Sequence, residues 1–265
     1  MSNTAVPIRP AATLLIIRNT PEGLQVFMVL RNRAVSFASG ALVFPGGKVD
    51  QQDRDLIGSD LTEGFAALDP FEASCRIAAL REAYEEAGIL LAHRADGSRI
   101  SGEILATYEA ERARIANCDL PFADFLRTHS LKLSADGVAP VARWITPEGS
   151  PRRFDTMFYL APAPADQTAK HDGGESVESL WVSPQQALDE GEAGKWFIIV
   201  PTQFTLEWLA QFRTVEEAMA ATRNRAIPPI HGSIEVRDGI EMFCIPDEAC
   251  YPRSFIPTSE IKRGF

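Results

Sequence analysis

FEASCRIAALREAYEEAGILL, residues 71–91, is the stretch on which the reading of this chain turns. At about 100° per residue, Ala73, Ile77, Leu80 and Tyr84 share one face of a helix, and Glu82, Glu85 and Glu86 share the opposite one. Asp69-Pro70 offers an N-cap and a first-turn proline, and Gly88 a left-handed stop. The apolar face asks to be buried. The acidic face is harder to explain by stability. Three carboxylates at i, i+3 and i+4 repel one another, in the last turns, where the helix dipole favours positive charge. A bound cation reconciles them, Mg²⁺ first and Mn²⁺ beside it, since such ions take carboxylate, water and phosphate oxygens. The competing explanation is a solvated Glu-rich face on which Arg81 and Glu85 form an exposed i, i+4 pair.

Upstream, residues 41–47 read ALVFPGG, a short apolar strand that breaks at Pro45 into a double glycine. Backbone at such a loop can approach a ligand or metal closely. Strand, Gly-Gly loop and carboxylate helix together make a candidate site.

The two segments resemble the Nudix box, G-x5-E-x7-R-E-U-x-E-E-x-G-U with U apolar, the signature of enzymes that hydrolyse a nucleoside diphosphate linked to another moiety. Arg81, Glu82, Glu85, Glu86 and Gly88 match it, with Ala83 and Ile89 at the apolar positions. Gly47 to Arg81 is 34 positions where the box has 14, so 20 residues are inserted. Counted forward from Gly47, Asp53 stands where the first glutamate belongs; counted back from Arg81, Ala73 does, with Glu72 beside it. The split box is similar to the branch that includes the peroxisomal coenzyme A diphosphatases. Leu30, Arg31, Gly40 and the FPGG keep the spacing of that group's upstream motif, while Asn32 and Ser36 depart from it. Arg152-Arg153-Phe154-Asp155-Thr156 also resembles this branch.

The resemblance implies an α/β fold, a Nudix-type α/β/α sandwich on a mixed sheet. It implies Mg²⁺ or Mn²⁺ held by Glu82, Glu85, Glu86 and the Gly46 carbonyl, with Arg81 orienting a glutamate. Glu85 and a later glutamate, Glu175 or Glu178, are the candidate proton acceptors, and Arg31, Gly47, Arg153 and Asp155 the substrate-binding candidates. The favoured substrate is CoA or acyl-CoA, cleaved to 3′,5′-ADP and phosphopantetheine; ADP-ribose, NADH and other nucleotide derivatives are alternatives. A nucleotide-sensing domain that binds without cleaving is the alternative of another class. The full set of Arg81, Glu82, Glu85 and Glu86 argues against it, because a pure binder has little need of a repelling carboxylate cluster.

The remainder bounds these expectations. The 265 residues, 45% hydrophobic, suffice for one large globular unit. A formal charge of −10 argues against nucleic acid as a partner. No apolar run approaches a membrane span. Lys262-Arg263-Gly264-Phe265 is no Ser-Lys-Leu address, so a cytoplasmic location is expected rather than a peroxisomal one. A small nucleotide derivative is the expected partner, and a homodimer is left open. Cys75, Cys118, Cys244 and Cys250 lack CxxC spacing and read as reduced thiols, and zinc is not expected. Strands are predicted at 11–18 and 24–31, forming a hairpin, and at 89–92, 141–145, 154–160 and 178–182. Residues 50–69 read as a loop or short helix, about 93–135 as a helical insertion, and 184–190, 201–212 and 214–222 as helices. The Nudix-like domain is set at 1–200, with 201–265 as a C-terminal extension packed on it.

Overall fold

The computed structural model describes residues 6–32, 40–172 and 176–261. The expected hairpin is there: β1 (Ile8–Thr20) and β2 (Gly23–Arg31) pair in antiparallel fashion, with Ile17 opposite Val26. The two strands then diverge, and the apolar Gly-Gly segment fills the fork between them. β3 (Leu42–Val43) pairs with β2 and β4 (Gly46–Lys48) with β1, Pro45 marking the bend. Residues 51–63 supply α1 (Gln51–Asp55) and β5 (Thr62–Glu63).

The 71–91 stretch forms α2 (Pro70–Ala87), 18 residues long. The Asp69 carboxylate accepts the Phe71 and Glu72 amides, Pro70 opens the first turn, and Gly88 closes the helix at φ 67°. The apolar face is buried as expected. The acidic face departs from simple amphipathicity: Arg81 and Glu86 are buried too, because the 46–55 segment lies over that side.

The insertion is helical where expected, but framed by strands. Between β6 (Ala92–Arg94) and β7 (Leu131–Ser134) lie α3 (Gly102–Ala106), α4 (Glu109–Ala116) and α5 (Phe122–Thr128). β5 pairs with β7 and β7 with β6 in a separate small sheet. The insertion packs on α2 through aromatic rings, Tyr84 stacking on Phe125 at 5.1 Å between centroids.

β8 (Ala139–Ile145), β9 (Arg153–Pro162) and β10 (Ser176–Val182) complete the predicted strands, followed by α6 (Pro184–Glu192), α7 (Val200–Leu209) and α8 (Val215–Thr222). Then come β11 (Pro229–His231) and a meander of β12 (Ser233–Arg237), β13 (Ile240–Cys244) and β14 (Phe255–Pro257). The main sheet runs β10-β2-β1-β9-β8-β11 and is mixed: β1 lies parallel to β9 and β11 parallel to β8, the other neighbours being antiparallel.

Alternation along the central strands divides the interior in two. Ala12, Leu14, Ile16, Met157 and Tyr159 face α2 and the insertion. Leu15, Ile17, Phe158 and Leu160 face the other way, onto Phe204, Leu206, Trp208 and Leu209 of α7. This is the expected α/β/α sandwich. Residues 201–261 contribute most of α7, all of α8 and the edge strand β11 to this frame. Tyr251 fastens them, its hydroxyl accepting from Trp144 Nε1 at 3.1 Å. Among the described residues no helix is long and apolar enough to cross a membrane.

Candidate active site

Arg81 is the hub around which the site is assembled. Its Nε and Nη2 donate to the two oxygens of Asp53 at 2.9 and 3.0 Å, and Nη2 also reaches the Lys48 carbonyl at 3.0 Å. Nη1 donates to Glu82 at 2.9 Å and to Glu85 at 3.0 Å. One buried guanidinium thus gathers a strand, a short helix and two carboxylates of its own helix. Burial alone would depress the basicity of Arg81, but Glu82, Asp53 and Glu85 together raise it above its ordinary value.

Asp53 is wholly buried and also accepts the Asp50 amide at 2.8 Å as one half of the capping box that starts α1. This decides between the two candidates for the first acidic position. Glu72 pairs instead with Arg76 at 2.6 Å, near the opposite end of α2.

The Gly-Gly segment is shaped by how closely α2 approaches it. A Cβ on Gly47 would sit 2.3 Å from the Glu82 carboxylate, and one on Gly46 would sit 2.4 Å from the Ala12 carbonyl. At Gly46 the obstacle is backbone that cannot give way, and at Gly47 a side chain would have to displace the Glu82 carboxylate. The Leu14 amide bonds the Pro45 carbonyl and the Val49 amide the Pro10 carbonyl, so ladder alternation turns the Gly46 peptide groups away from β1. The Gly46 N–H is taken there by Glu86 at 2.9 Å.

The three carboxylates are therefore collected at one end of α2, beside Gly46 and Gly47. Glu82 and Glu85 keep 13% and 12% of their side-chain surface exposed. Burial pushes the Glu85 carboxyl up to about 7, with Arg81 opposing the rise and Glu82 adding to it. All the donors are oxygens, which suits a hard divalent cation. Their present aim is different: among the described residues no group of three or more His, Cys, Asp and Glu side chains is disposed as a metal cage, because Glu82 and Glu85 face Arg81 and Glu86 faces an amide.

Residues 55–209 match the family model of the NUDT19 Nudix domain. The chain belongs to the Nudix family. A putative nudix hydrolase 7 of Caenorhabditis elegans is 29% identical over 77% of this chain and 61% of its own length. The acyl-coenzyme A diphosphatase NUDT19 of Xenopus laevis is 23% identical over 95% of the chain and 83% of its own length. The crystal structure of a Nudix hydrolase from Alicyclobacillus acidocaldarius superposes with a TM-score of 0.73 at 26% identity, covering 81% of this chain and 96% of that one. The chain thus spans about three-fifths of the C. elegans protein it matches. Within the Nudix frame, the inserted 20 residues leave the box intact in space: Gly47, Asp53 and Arg81 meet although they are far apart in sequence.

The remaining predicted site residues are scattered around this frame. Arg31 ends β2 opposite Ser176, on the face toward α2, and its amide bonds the Ala41 carbonyl. Arg153 begins β9, and its Nε donates to the Thr146 carbonyl at 3.1 Å. Asp155 is held two-pronged by Arg143, whose guanidinium lies 4.4 Å over the Phe71 ring near the start of α2. That is the opposite end of the helix from Glu86, some 20 Å away at 1.5 Å per residue. Glu178 is exposed and shares the face of Leu180, the side of the sheet away from α2, whereas Trp181 packs toward α2. The structure does not bring Glu178 to the carboxylates. Glu175 lies outside the described residues.

One residue of the site carries no signal in the sequence. Arg112 of α4 is buried and donates from Nε to the Glu85 carbonyl at 3.1 Å and from Nη2 to the Lys170 carbonyl at 2.8 Å. The Lys170 amide in turn bonds the Ala87 carbonyl at 2.8 Å. The last turn of α2 would otherwise leave these carbonyls unsatisfied, with negative partial charge behind the glutamates. The insertion thus acts on the site through one guanidinium. In the sequence, Arg112 is one of several charges on a short helix.

Proposed function

We propose that this Nudix protein hydrolyses the diphosphate of a nucleotide derivative with the help of a divalent metal, CoA or an acyl-CoA being the favoured substrate. The observation that carries the reading is the gathering of Glu82, Glu85 and Glu86 beside Gly46 and Gly47 by a buried arginine, in a chain that matches the NUDT19 Nudix domain model. The acyl-CoA diphosphatase names of its relatives support the choice of substrate class.

A diphosphate diester carries two negative charges that repel hydroxide, so its hydrolysis needs charge neutralisation and an activated water. Glu82, Glu85 and Glu86, with the Gly46 carbonyl, would hold Mg²⁺ or Mn²⁺, which supplies phosphoryl polarisation and a lowered water pKa when bound. Arg81 keeps Glu82 and Glu85 in place and leaves substrate alone, all of its nitrogens being engaged by the protein. Glu85, at the partly exposed edge of the cluster, is the candidate to accept a proton from the attacking water. Water oxygen then bonds to one phosphorus as the bridging P–O bond breaks, and the two monophosphate products leave as 3′,5′-ADP and (acyl-)phosphopantetheine.

The test is a panel of CoA, acyl-CoAs, ADP-ribose and NADH with Mg²⁺ or Mn²⁺, the products resolved by chromatography, on the wild type and Glu86→Gln. The reading expects 3′,5′-ADP from CoA above the other rates, and a loss of about a hundredfold or more in kcat for the variant while it remains folded. Preferential turnover of ADP-ribose or NADH would move the substrate assignment. Undiminished turnover in the variant would sink the metal assignment.

A further inference from the structure

The meander of β12, β13 and β14 is a small sheet with an open edge. β12 pairs with β13 alone, and the Asp238-Gly239 turn between them has φ of 51° and 79°, the two left-handed residues of a type I′ hairpin. Such a turn makes Arg237 and Ile240 a hydrogen-bonded pair, and ladder alternation then spends the main-chain groups of Glu235 and Ser233 on β13 as well. The N–H and C=O groups of Ile234 and Val236 therefore point out of the edge, and among the described residues they meet no partner. Among those same residues, four of the six exposed large apolar side chains, Ile234, Val236, Ile240 and Phe255, belong to this meander. That concentration differs from the single exposed residues an ordinary surface carries. An open edge of this kind is a template for another strand.

The edge is complementary to itself in one register. Paired antiparallel with a second β12 about Glu235, it would set two carboxylates opposite each other, which is destabilising. Paired about Val236, it sets Glu235 opposite Arg237 of the second copy on both sides of the two-fold axis, and Val236 opposite Val236. The outward amide makes Val236 the hydrogen-bonded pair of that ladder, so Glu235 and Arg237 fall in the flanking pairs, whose side chains approach most closely. Within each chain Arg237 Nη2 already lies 2.9 Å from Glu235, both side chains being about half exposed, and the guanidinium is held 5.0 Å over the Phe255 ring. Two such pairs, laid side by side and reversed, form an alternating network of four charges. Charges on an edge strand ordinarily deter pairing. Here another copy of the same strand carries the matching charges at the matching spacing.

We propose that β12 is a homodimer interface, at which two copies pair antiparallel about Val236 and join their three-stranded meanders into one continuous sheet. Phe243 and Ile256 anchor the meander in the core shared with α7, so the edge is presented by a fixed sheet rather than by a loop. Five residues a side bury less than the roughly 1,200 Å² of a standard stable interface, so the dimer exchanges and its population follows concentration. No residue of the candidate active site lies on β12, and the proposal stands apart from the diphosphatase reading.

The experiment is sedimentation velocity on the full chain from about 5 to 500 μM, with near-ultraviolet circular dichroism to check the fold of each variant. The wild type is expected to show monomer and dimer in concentration-dependent exchange. Val236→Pro removes an outward amide and spares the ladder to β13, and it should weaken the dimer about tenfold or more. Glu235→Arg and Arg237→Glu each set like charges across the axis and should sediment as monomers. Mixed with each other, those two variants become complementary again, and a heterodimer should form. That rescue identifies both the occupant and the register, since an interface elsewhere on the molecule would not be restored by mixing. A wild type that stays monomeric across the range overturns the proposal and leaves the edge to a strand of another protein. A dimer that Val236→Pro leaves unchanged, or mixed variants that stay apart, overturns it as well.

Discussion

Two arginine–aspartate pairs in this molecule share one geometry and do different work. Arg81 grips Asp53, and Arg143 grips Asp155, each through Nε and Nη2 on the two carboxylate oxygens, at 2.6 to 3.0 Å. Asp53 and Arg81 are buried, whereas Arg143 keeps 34% of its side-chain surface exposed. Arg81 has Nη1 left over for Glu82 and Glu85 and lends Nη2 to a backbone carbonyl as well; Arg143 spends its remaining surface on the Phe71 ring. The bond itself is thus not what distinguishes a site from a strut. Low local dielectric and spare donors aimed at other charges do.

The widest separation between the pairs is expected in stability. Arg81→Ala strands the buried Asp53 together with Glu82 and Glu85, and should cost about 3–5 kcal/mol in urea unfolding. A cost under about 1 kcal/mol would remove the ground for treating the hub as special.

Next comes the charge state of the site in metal-free protein. The Glu85 carboxyl is raised to about 7 when folded against 4.5 as its ordinary value, so the folded state binds its proton more tightly. The stability this group contributes is therefore present in full below about pH 4.5 and lost as pH rises toward 7, roughly 2–3 kcal/mol over that window. Glu85→Gln should flatten this part of the profile and be the more stable protein at pH 8, as read from urea midpoints in chelator. An unchanged profile would mean that Arg81 neutralises Glu85 fully.

Arg112→Ala tests whether support from behind the helix matters as much as the hub in front. We expect a loss of about 1–2 kcal/mol and faster hydrogen exchange at Gly88 and Ile89, whose amides close the helix end. If exchange quickens everywhere alike, Arg112 is only a stability element. The smallest effect belongs to Arg143→Ala, at most about 1 kcal/mol because the pair is partly solvated; a cost like that of Arg81→Ala would erase the contrast.

Much of this was legible in the chain. The Asp69-Pro70 start, the Gly88 stop and the 3.6-residue spacing of Ala73, Ile77, Leu80 and Tyr84 placed α2 within a residue or two, because caps and periodicity are local properties. Strands around residues 11–31, 141–160 and 178–182 followed from branched apolar runs between turn residues. The short strands β5 and β7 were not legible, and the strand expected over 89–92 begins only at its last residue, as β6. Each has two to four residues and exists because the insertion folds back, which no local composition announces.

For the site, the sequence by itself determined the chemistry: which carboxylates share a helix face, and that two glycines precede them. Those are statements about neighbours along the chain, and helical spacing converts them into geometry. Only the tertiary structure decided which acid stands in the first position, Asp53 rather than Glu72, and that Arg112 closes the helix from behind. It also set Glu178 on the far side of the sheet. The physical reason is the same in each case: these relations depend on distance between strands and helices that the chain joins through long connections. Burial and electrostatics are fixed only when those elements pack.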